Sequence, residues 1–210
     1  MMPQLEFYRL GIRDYAATVD EMRSWTQARA ADTTDQIWFL EHEPVYTQGV
    51  SCSESVRDGG TDIPLVKSDR GGQITYHGPG QLVAYMLLDL RRLGLGVRQL
   101  VSLMEASVIE VLDQFGLEAV VRPGAPGVYI NGEKIAALGL RVRSGCCYHG
   151  LSLNVDMELE PFSRIDPCGF ADLGVTSLKG QGLSVNVDEA ADALQEILEI
   201  RLSQNKKDFP

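Results

Sequence analysis

A glycine-rich stretch organises this chain, Arg70-Gly71-Gly72-Gln73-Ile74-Thr75-Tyr76-His77-Gly78-Pro79-Gly80-Gln81. Its four glycines and one proline predict a loop whose backbone comes close to another group. The stretch also carries long polar side chains, and a strongly apolar run over 82–90 follows it directly. A plain connector needs the glycines but not the polar side chains. The pattern therefore leaves two interpretations, a glycine-rich loop between strands or one wall of a binding site.

The segments around this loop predict a mixed sheet with helices packed on it. Strand formers and apolar runs indicate strands over 5–10, 36–41, 63–67, 81–90, 127–142 and 146–155. The fifth range is a hairpin, because Asn131-Gly132 supplies two turn residues that accept positive φ. Apolar residues at steps of three and four predict helices after an Asp14 cap, from about 97 to 115 before a Gly116 cap, and over 188–202. Hairpins with few helices favour an α/β fold of the α+β type in one domain, 1–210, with a surface loop over 51–62 and a frayed tail over 205–210.

Composition and charge bound the function. The chain has 210 residues and a net charge of −10, from 19 basic and 29 acidic residues. An acidic protein is a poor general binder of nucleic acid or anionic membranes, so neither partner is expected. We expect no signal peptide and no membrane span, and four cysteines without CxxC spacing favour the reducing cytoplasm. A local basic patch is predicted from six arginines: Arg91, Arg92, Arg98, Arg122, Arg141 and Arg143.

One cysteine has surroundings typical of a reactive thiol. Pro167 favours an extended approach to Cys168, and Gly169 leaves space beside its sulfur. The alternative is a small buried apolar residue, which is the common fate of a free cysteine. Cys146 and Cys147 lie on a predicted strand, so packing is expected of both.

A nucleophilic cysteine needs a partner that populates its thiolate. Lys134, at the start of the return strand of the hairpin, can stabilise a thiolate as an ammonium and can move a proton as an amine. Its alternative role is that of a strand-end lysine with its amine in solvent. His77 and His149 are further candidates, either as ligand contacts or as braces of the loop. His42 lies between two glutamates and is expected at the surface.

Four blocks in order resemble the lipoyl(octanoyl) transferase family: RGGQITYHGPGQ (70–81), GEKIAALGLRV (132–142), HGLSLNV (149–155), and IDPCGF (165–170) followed by GVTSL. The resemblance is strongest over 41–178. It implies the fold of biotin and lipoate ligase catalytic domains, a mixed β-sheet flanked by helices. It also implies transfer of an octanoyl group from acyl carrier protein to a lysine of a lipoyl domain, with no cofactor and no metal.

Position by position, the resemblance makes Cys168 the acyl-thioester nucleophile and Lys134 the residue that lowers its pKa. Asp166 stands where the family often has asparagine, and an acid near a thiol tends to raise the thiol pKa. We expect the amides of the 138–139 stretch to hold the oxyanion, and the 135–140 run with Tyr76 to surround the eight-carbon chain. The implied acyl site is lined by Arg70, Gly71, Gly72, Gln73, Ile74, Thr75, Tyr76, His77, Ala137, Leu138, Gly139, Gly150, Leu151 and Ser152.

The partners implied by the resemblance are octanoyl-acyl carrier protein as donor and, as acceptors, lipoyl domains of 2-oxoacid dehydrogenase complexes and the glycine cleavage H protein. A monomer is expected. Two alternatives are open: an ATP-dependent lipoate or biotin ligase on the same fold, and a non-catalytic binder of acylated carrier proteins. The sequence has Gly71-Gly72-Gln73 where such a ligase would carry an arginine-rich adenylate loop, which argues against the first. The presence of both Cys168 and Lys134 argues against the second.

Overall fold

A computed structural model describes residues 5–52, 62–165 and 174–203. Its main sheet has seven strands in the order β1-β2-β6-β10-β9-β8-β7, where β1 and β2 are parallel and all other neighbours are antiparallel. These strands are β1 (Leu5–Arg13), β2 (Asp35–His42), β6 (Gln81–Asp89), β7 (Val120–Arg122), β8 (Ala125–Ile130), β9 (Glu133–Arg143) and β10 (Cys146–Asn154). A smaller sheet has the order β4-β3-β5, formed by β3 (Val45–Gln48), β4 (Leu65–Lys67) and β5 (Ile74–His77). The prediction of a mixed sheet is confirmed.

Strand β6 lies inside the main sheet between β2 and β10 and packs on both faces. Its residues Leu82, Ala84, Met86 and Leu88 belong to the larger apolar core, and Val83, Tyr85 and Leu87 belong to a second core on the other side. Such two-sided burial explains why the run reads as continuously apolar in the sequence. The prediction of a buried central strand is confirmed.

Helices cover both faces of this sheet. The helices are α1 (Tyr15–Ala28), the short α2 (Leu90–Leu93), α3 (Val97–Gln114) and α4 (Val187–Ser203). α3 and α4 pack against the larger core, whereas α1 packs against the second core. The predicted caps are present: Asp14 accepts from the Ala17 amide at 2.8 Å, and Gly116 has a φ of +77°. The three predicted helices are confirmed.

The sequence predicted a loop over the whole glycine-rich stretch, but part of this stretch is a strand. Residues 74–77 form β5, which pairs antiparallel with β3. Their β-branched and aromatic side chains suit a strand, and the glycines are left to the turns on either side. The predicted strand over 63–67 is shorter and begins at Leu65. Most of the predicted surface loop over 51–62 and the tail over 205–210 lie outside the described residues.

Candidate functional site

A cavity lies between the small sheet and the face of the main sheet that packs on α1. Its volume is about 790 Å³ including the open mouth. Strands β5, β6, β9 and β10 supply most of the lining. Thirteen residues named from the sequence lie in this lining: Arg70, Gly72, Gln73, Ile74, Thr75, His77, Lys134, Ala137, Leu138, Gly139, Gly150, Leu151 and Ser152.

A pair of glycines brings the Arg70 loop down onto the sheet. Gly139 pairs with Gly150 across β9 and β10, so this patch carries no side chains. A Cβ on Gly139 would lie only 2.9 Å from the Gly71 carbonyl oxygen. The Gly71 amide in turn donates to the Leu140 carbonyl at 2.9 Å. Gly139 is therefore needed because two backbones meet here, and the prediction that the backbone of the glycine-rich stretch comes close to another group is confirmed.

Two residues named for the acyl site do not line the cavity. Gly71 contributes backbone hydrogen bonding to the wall instead. Tyr76 lies in a small apolar cluster, with its ring 5.6 Å from Tyr46 and 5.5 Å from Phe162. Phe162 does reach the lining, so Tyr76 stands behind the wall rather than in it.

A β-bulge places Lys134 on the cavity side of the sheet. Val128 pairs with Ala136 and Tyr129 with Lys134, so Ile135 is an extra residue in β9. An extra residue reverses the alternation of side chains along a strand. Lys134 therefore shares the cavity with Ala137 and Gly139, although strict alternation would put it on the other face.

The Lys134 side chain is held in place within the protein. It is only 4% exposed, and its amine donates to the Pro126 carbonyl at 3.2 Å and lies 5.3 Å from the Tyr129 ring centroid. Its backbone amide donates to the Gly174 carbonyl at 2.8 Å. The alternative of a solvent-directed lysine is wrong.

Cys168 and its neighbour Asp166 lie outside the described residues. The described residues on either side of 166–173 both reach the site. Phe162 lines the cavity before the segment and Val175 lines it afterwards. Val175 also forms a parallel bridge with Lys134.

Arg70 braces the loop from inside the cavity wall. Its guanidinium donates to the Thr47 carbonyl at 2.6 Å, to the Thr47 hydroxyl at 2.8 Å and to the Gly71 carbonyl at 3.0 Å. Burial lowers the pKa of this arginine. Its hydrogen bonds set the position of the loop above the two glycines.

The prediction that His42 lies at the surface is wrong. This residue is 0% exposed, and its two ring nitrogens contact the Arg13 carbonyl at 2.9 Å and the Tyr85 hydroxyl at 2.7 Å. Burial lowers its pKa to about 4. The strand alternation of β2 turns His42 inward between two glutamates, a signal that was present in the sequence.

All three histidines of the chain meet at the inner end of the cavity. The His42 and His77 rings lie 5.8 Å apart, and the Tyr85 ring lies 5.7 Å from His42 and 5.8 Å from His149. His77 also bonds Gln81 through Nδ1 at 2.6 Å. Burial lowers the pKa of His77 and of His149, so the cluster is neutral near pH 7. The sequence named two of these histidines but did not predict that Tyr85 joins them.

His149 is held by Asp69, which the sequence interpretation missed. The His149 Nε2 lies 3.0 Å from an Asp69 carboxylate oxygen, and Asp69 also accepts from Tyr148 and Arg23. Burial raises the pKa of Asp69, but the hydrogen bonds from these three partners outweigh it and hold the pKa well below its usual range. Asp69 directly precedes Arg70 in the chain, and that adjacency to the glycine-rich stretch is the signal that could have found it.

The adjacent cysteines are packing residues, as predicted. Cys146 and Cys147 are both buried in β10. Burial raises the pKa of the Cys147 thiol to about 12. A thiol with such a pKa is not a nucleophile near neutral pH.

The six arginines of the predicted basic patch do not all lie together, because Arg122 is far from Arg91 and Arg143. Arg91 and Arg143 border a groove at the end of the sheet where β6 stops. Arg122 lies on the edge strand β7 beside the turn at Gly132. Positions 132 and 143 are at opposite ends of β9, about 35 Å apart at the usual strand rise, which is several Debye lengths.

Among the residues that the structure describes, no helix has both the length and the apolar character that crossing a bilayer requires.

Comparisons with known proteins agree on one family. Residues 14–199 match the model of the lipoyl protein ligase A/B catalytic domain. An octanoyltransferase of Chromobacterium violaceum is 50% identical over 206 residues, covering 98% of this chain and 99% of that protein. An octanoyltransferase of an Azoarcus species is 56% identical over 191 residues, covering 90% of this chain and 84% of that protein.

Solved structures share the fold at much lower identity. A lipoate-protein ligase A bound with ATP superposes with a TM-score of 0.75 at 16% identity, covering 98% of this chain and 87% of that one. A biotin protein ligase of Aquifex aeolicus superposes with a TM-score of 0.54 at 13% identity, covering 96% and 70%. These likenesses confirm the predicted fold class.

Proposed function

The chain belongs to the family of lipoyl protein ligase A/B catalytic domains, and we propose that it transfers an octanoyl group from acyl carrier protein to a lipoyl-domain lysine through a thioester on Cys168. Octanoyl transfer is the activity named for relatives that share about half of their residues with nearly the whole of this chain. The protein is thus an acyltransferase of protein lipoylation. The donor, the acceptors and the thioester are the finer parts of the proposal.

The observation that carries the proposal is the position of Lys134. A β-bulge turns this lysine into an apolar-walled cavity, where its amine lies beside Pro126 at the half-exposed border. The flanks of the segment that holds Cys168 line the same cavity. A lysine held at this position can supply the charge that a thiolate needs.

In the first step the Cys168 thiolate attacks the carbonyl carbon of the octanoyl thioester. A carbon–sulfur bond to Cys168 forms, the carbon–sulfur bond to the carrier breaks, and the carrier thiolate leaves with a proton from the Lys134 ammonium, which becomes a neutral amine. A backbone amide of the Leu138-Gly139 stretch, on the border of the cavity, is the proposed donor to the oxyanion.

In the second step the amine of the acceptor lysine attacks the acyl-enzyme. The carbon–nitrogen bond forms, the bond to Cys168 breaks, and the proton of the amine passes to Lys134. Exchange between thioesters is nearly isoenergetic and amide formation is downhill, so the reaction needs no ATP.

The apolar lining suits the substrate. At about 0.8 kcal/mol per buried methylene, an eight-carbon chain gains several kcal/mol from the cavity, which favours octanoyl over short acyl groups. We further propose lipoyl domains of 2-oxoacid dehydrogenase complexes and the glycine cleavage H protein as acceptors, and a cytoplasmic monomer as the working form.

The test is intact mass after mixing the protein with octanoyl-loaded carrier protein in the absence of ATP. We expect an octanoyl adduct that hydroxylamine removes, absent from Cys168→Ser and still formed by the matched control Cys52→Ser. Modification of a lipoyl domain only when ATP and free octanoate are supplied would instead support the ligase alternative.

A further inference from the structure

Two of the blocks quoted from the sequence, HGLSLNV (149–155) and GVTSL (174–178), meet beside Lys134. Strand β10 accompanies β9 only as far as Ala136. Beyond that point Val175 takes the place of β10 and forms a parallel bridge with Lys134. The proposed reaction uses no side chain of the second block.

Residues 174–176, here called the bridging segment, hold both backbone groups of Lys134. The Lys134 amide donates to the Gly174 carbonyl at 2.8 Å, and the Lys134 carbonyl accepts from the Thr176 amide at 3.0 Å. On its other side Lys134 adjoins the bulge at Ile135, where the register between β8 and β9 shifts. The direction in which the Lys134 side chain leaves the sheet therefore depends on where the bridging segment lies.

Asn154, the last residue of β10, ties the bridging segment to the sheet. Its side-chain amide donates to the Thr176 carbonyl at 2.9 Å, and its backbone carbonyl accepts from the Leu178 amide at 3.0 Å. Asn154 and Thr176 are each only 4% exposed. At such a buried site water does not readily replace a lost donor, so the side-chain amide of Asn154 is costly to remove.

Gln81 sets the orientation of the Asn154 amide. A main-chain carbonyl can only accept, so Nδ2 of Asn154 faces Thr176 and Oδ1 is left to face β6. There Oδ1 accepts from Nε2 of Gln81 at 2.9 Å, and the same Nε2 donates to the Tyr76 carbonyl at 3.3 Å. Gln81 is 1% exposed. One buried chain of hydrogen bonds thus joins the small sheet, β6 and β10 to the segment that holds Lys134.

We propose that Asn154 is a positioning residue for the transfer reaction, which sets the place of the Lys134 amine by holding the bridging segment. Asn154 acts through this segment and takes no part in bond making. The inference rests on the proposed function, because it takes Lys134 to lower the pKa of the Cys168 thiol.

The test follows alkylation of Cys168 by iodoacetamide in the free enzyme as a function of pH. The thiolate is the form that reacts, so the midpoint of the profile reports the thiol pKa. All proteins carry Cys52→Ser, since Cys52 is the described cysteine that is not buried. Asn154 also lines the cavity, but a residue that only contacts the acyl chain cannot change a profile measured without substrate.

Asn154→Leu keeps the size of the side chain but removes its amide. We expect the midpoint to rise by about one pH unit, so that alkylation below the midpoint is about tenfold slower. We also expect kcat for octanoyl transfer to fall about tenfold or more, because a small displacement of a catalytic group is enough for such a loss. An unchanged alkylation profile in folded Asn154→Leu protein would overturn the inference, whatever the change in transfer.

The matched control is Gln181→Met. Gln181 also donates a side-chain hydrogen bond to Thr176, but to its hydroxyl, at 2.9 Å, rather than to its carbonyl. The variant loses a comparable hydrogen bond at the same residue and keeps the link to Asn154, so its alkylation profile should match the parent. A shift as large as that of Asn154→Leu would indicate a general loss of stability and would contradict the assignment to Asn154.

Gln81→Met decides the question if Asn154→Leu does not fold, as judged by its thermal unfolding curve. This variant keeps Asn154 but removes the donor to Oδ1, so the Asn154 amide is free to turn away from Thr176. The midpoint should rise in the same direction, with alkylation severalfold slower below it. An unchanged midpoint would then overturn the inference.

Lys134→Met, measured beside these variants, separates the inference from the proposed function. If its alkylation profile is that of the parent, Lys134 does not act on Cys168 and the proposed function fails at this step. If Lys134→Met raises the midpoint but Asn154→Leu does not, only the positioning role of Asn154 fails.

Discussion

At the scale of single residues, the extra position at Ile135 decides what Lys134 can do. Without the bulge this lysine would point into the apolar core between the sheet and helices α3 and α4, where a charge is costly. With it, Lys134 lines the cavity together with Ala137 and Gly139. The bulge arises from the pairing of β8 with β9, so the sequence of either strand alone does not predict it.

Lys134→Met keeps the length and apolar stem of the side chain but removes the amine. We expect kcat/KM for octanoyl transfer to fall by about 100-fold or more, the usual contribution of a positioned proton donor and acceptor. Steady-state transfer to a lipoyl domain measures it. Lys179→Met is the control, because that lysine is exposed and pairs with Asp156, and it should keep wild-type rates. Near-normal activity in Lys134→Met would rule out its assigned role.

For single residues, prediction from the sequence was correct where a short local motif determines the backbone geometry. Asn131-Gly132 and the Asp14 cap are examples, because turn and cap chemistry depend on neighbours in the chain. It was wrong for His42, because the charge of the adjacent glutamates outweighed the alternation of β2 that turns this residue inward. It was incomplete for His149, because its partner Asp69 is 80 residues away.

At the scale of elements, the contact between β6 and β10 leaves no space at Gly150. A Cβ there would lie 2.0 Å from the Ala84 carbonyl oxygen of the neighbouring strand. Both strands are buried and neither can move without disturbing a core on each face. The glycine is thus required by packing.

Gly150→Ala should lower the free energy of unfolding by about 3 kcal/mol, since the two central strands must separate. Gly116→Ala is the matched control. Gly116 has a φ of +77° but nothing within 4 Å of its Cβ position, so only backbone strain of about 1 kcal/mol is expected. Urea unfolding followed by circular dichroism compares the two. Equal losses would show that the β6–β10 contact can relax.

Strands and helices could be predicted where the apolar residues of a segment recur with one clear period or follow one another without interruption. This applies to β6 and α3, whose patterns reflect burial against large cores. The small sheet was predicted less well, because β5 has only four residues and owes its existence to pairing with β3. Short strands depend on contacts distant in sequence, which local patterns do not contain.

At the scale of the whole molecule, the burial of every histidine governs the response to acid. The folded protein keeps His42 neutral down to about pH 4, whereas its ordinary pKa is 6.5. Between these values the unfolded chain binds a proton that the folded protein does not. Stability is therefore lost as the pH falls from 6.5 to 4.

His42 alone should lower the free energy of unfolding by about 3 kcal/mol across this window, at about 1.4 kcal/mol per pH unit. His77 and His149 act in the same direction, because burial lowers their pKa too. Urea unfolding at intervals from pH 7 to 4 measures the slope. In His42→Gln the decline should be shallower by the His42 share, and an unchanged slope would contradict the buried neutral state.

The shape of the cavity also bears on the order in which the two protein substrates bind to the enzyme. Buried side chains of Tyr15, His77, Tyr85 and His149 line one part of the cavity, and Lys134 lies in another part of it. Under the proposed function the donor and the acceptor are both whole proteins, and each must present its reacting group beside Lys134. They can occupy the enzyme only in alternation, with the octanoyl group left behind while one departs and the other arrives. One reaction site shared by two protein substrates is therefore a structural reason for the proposed covalent intermediate.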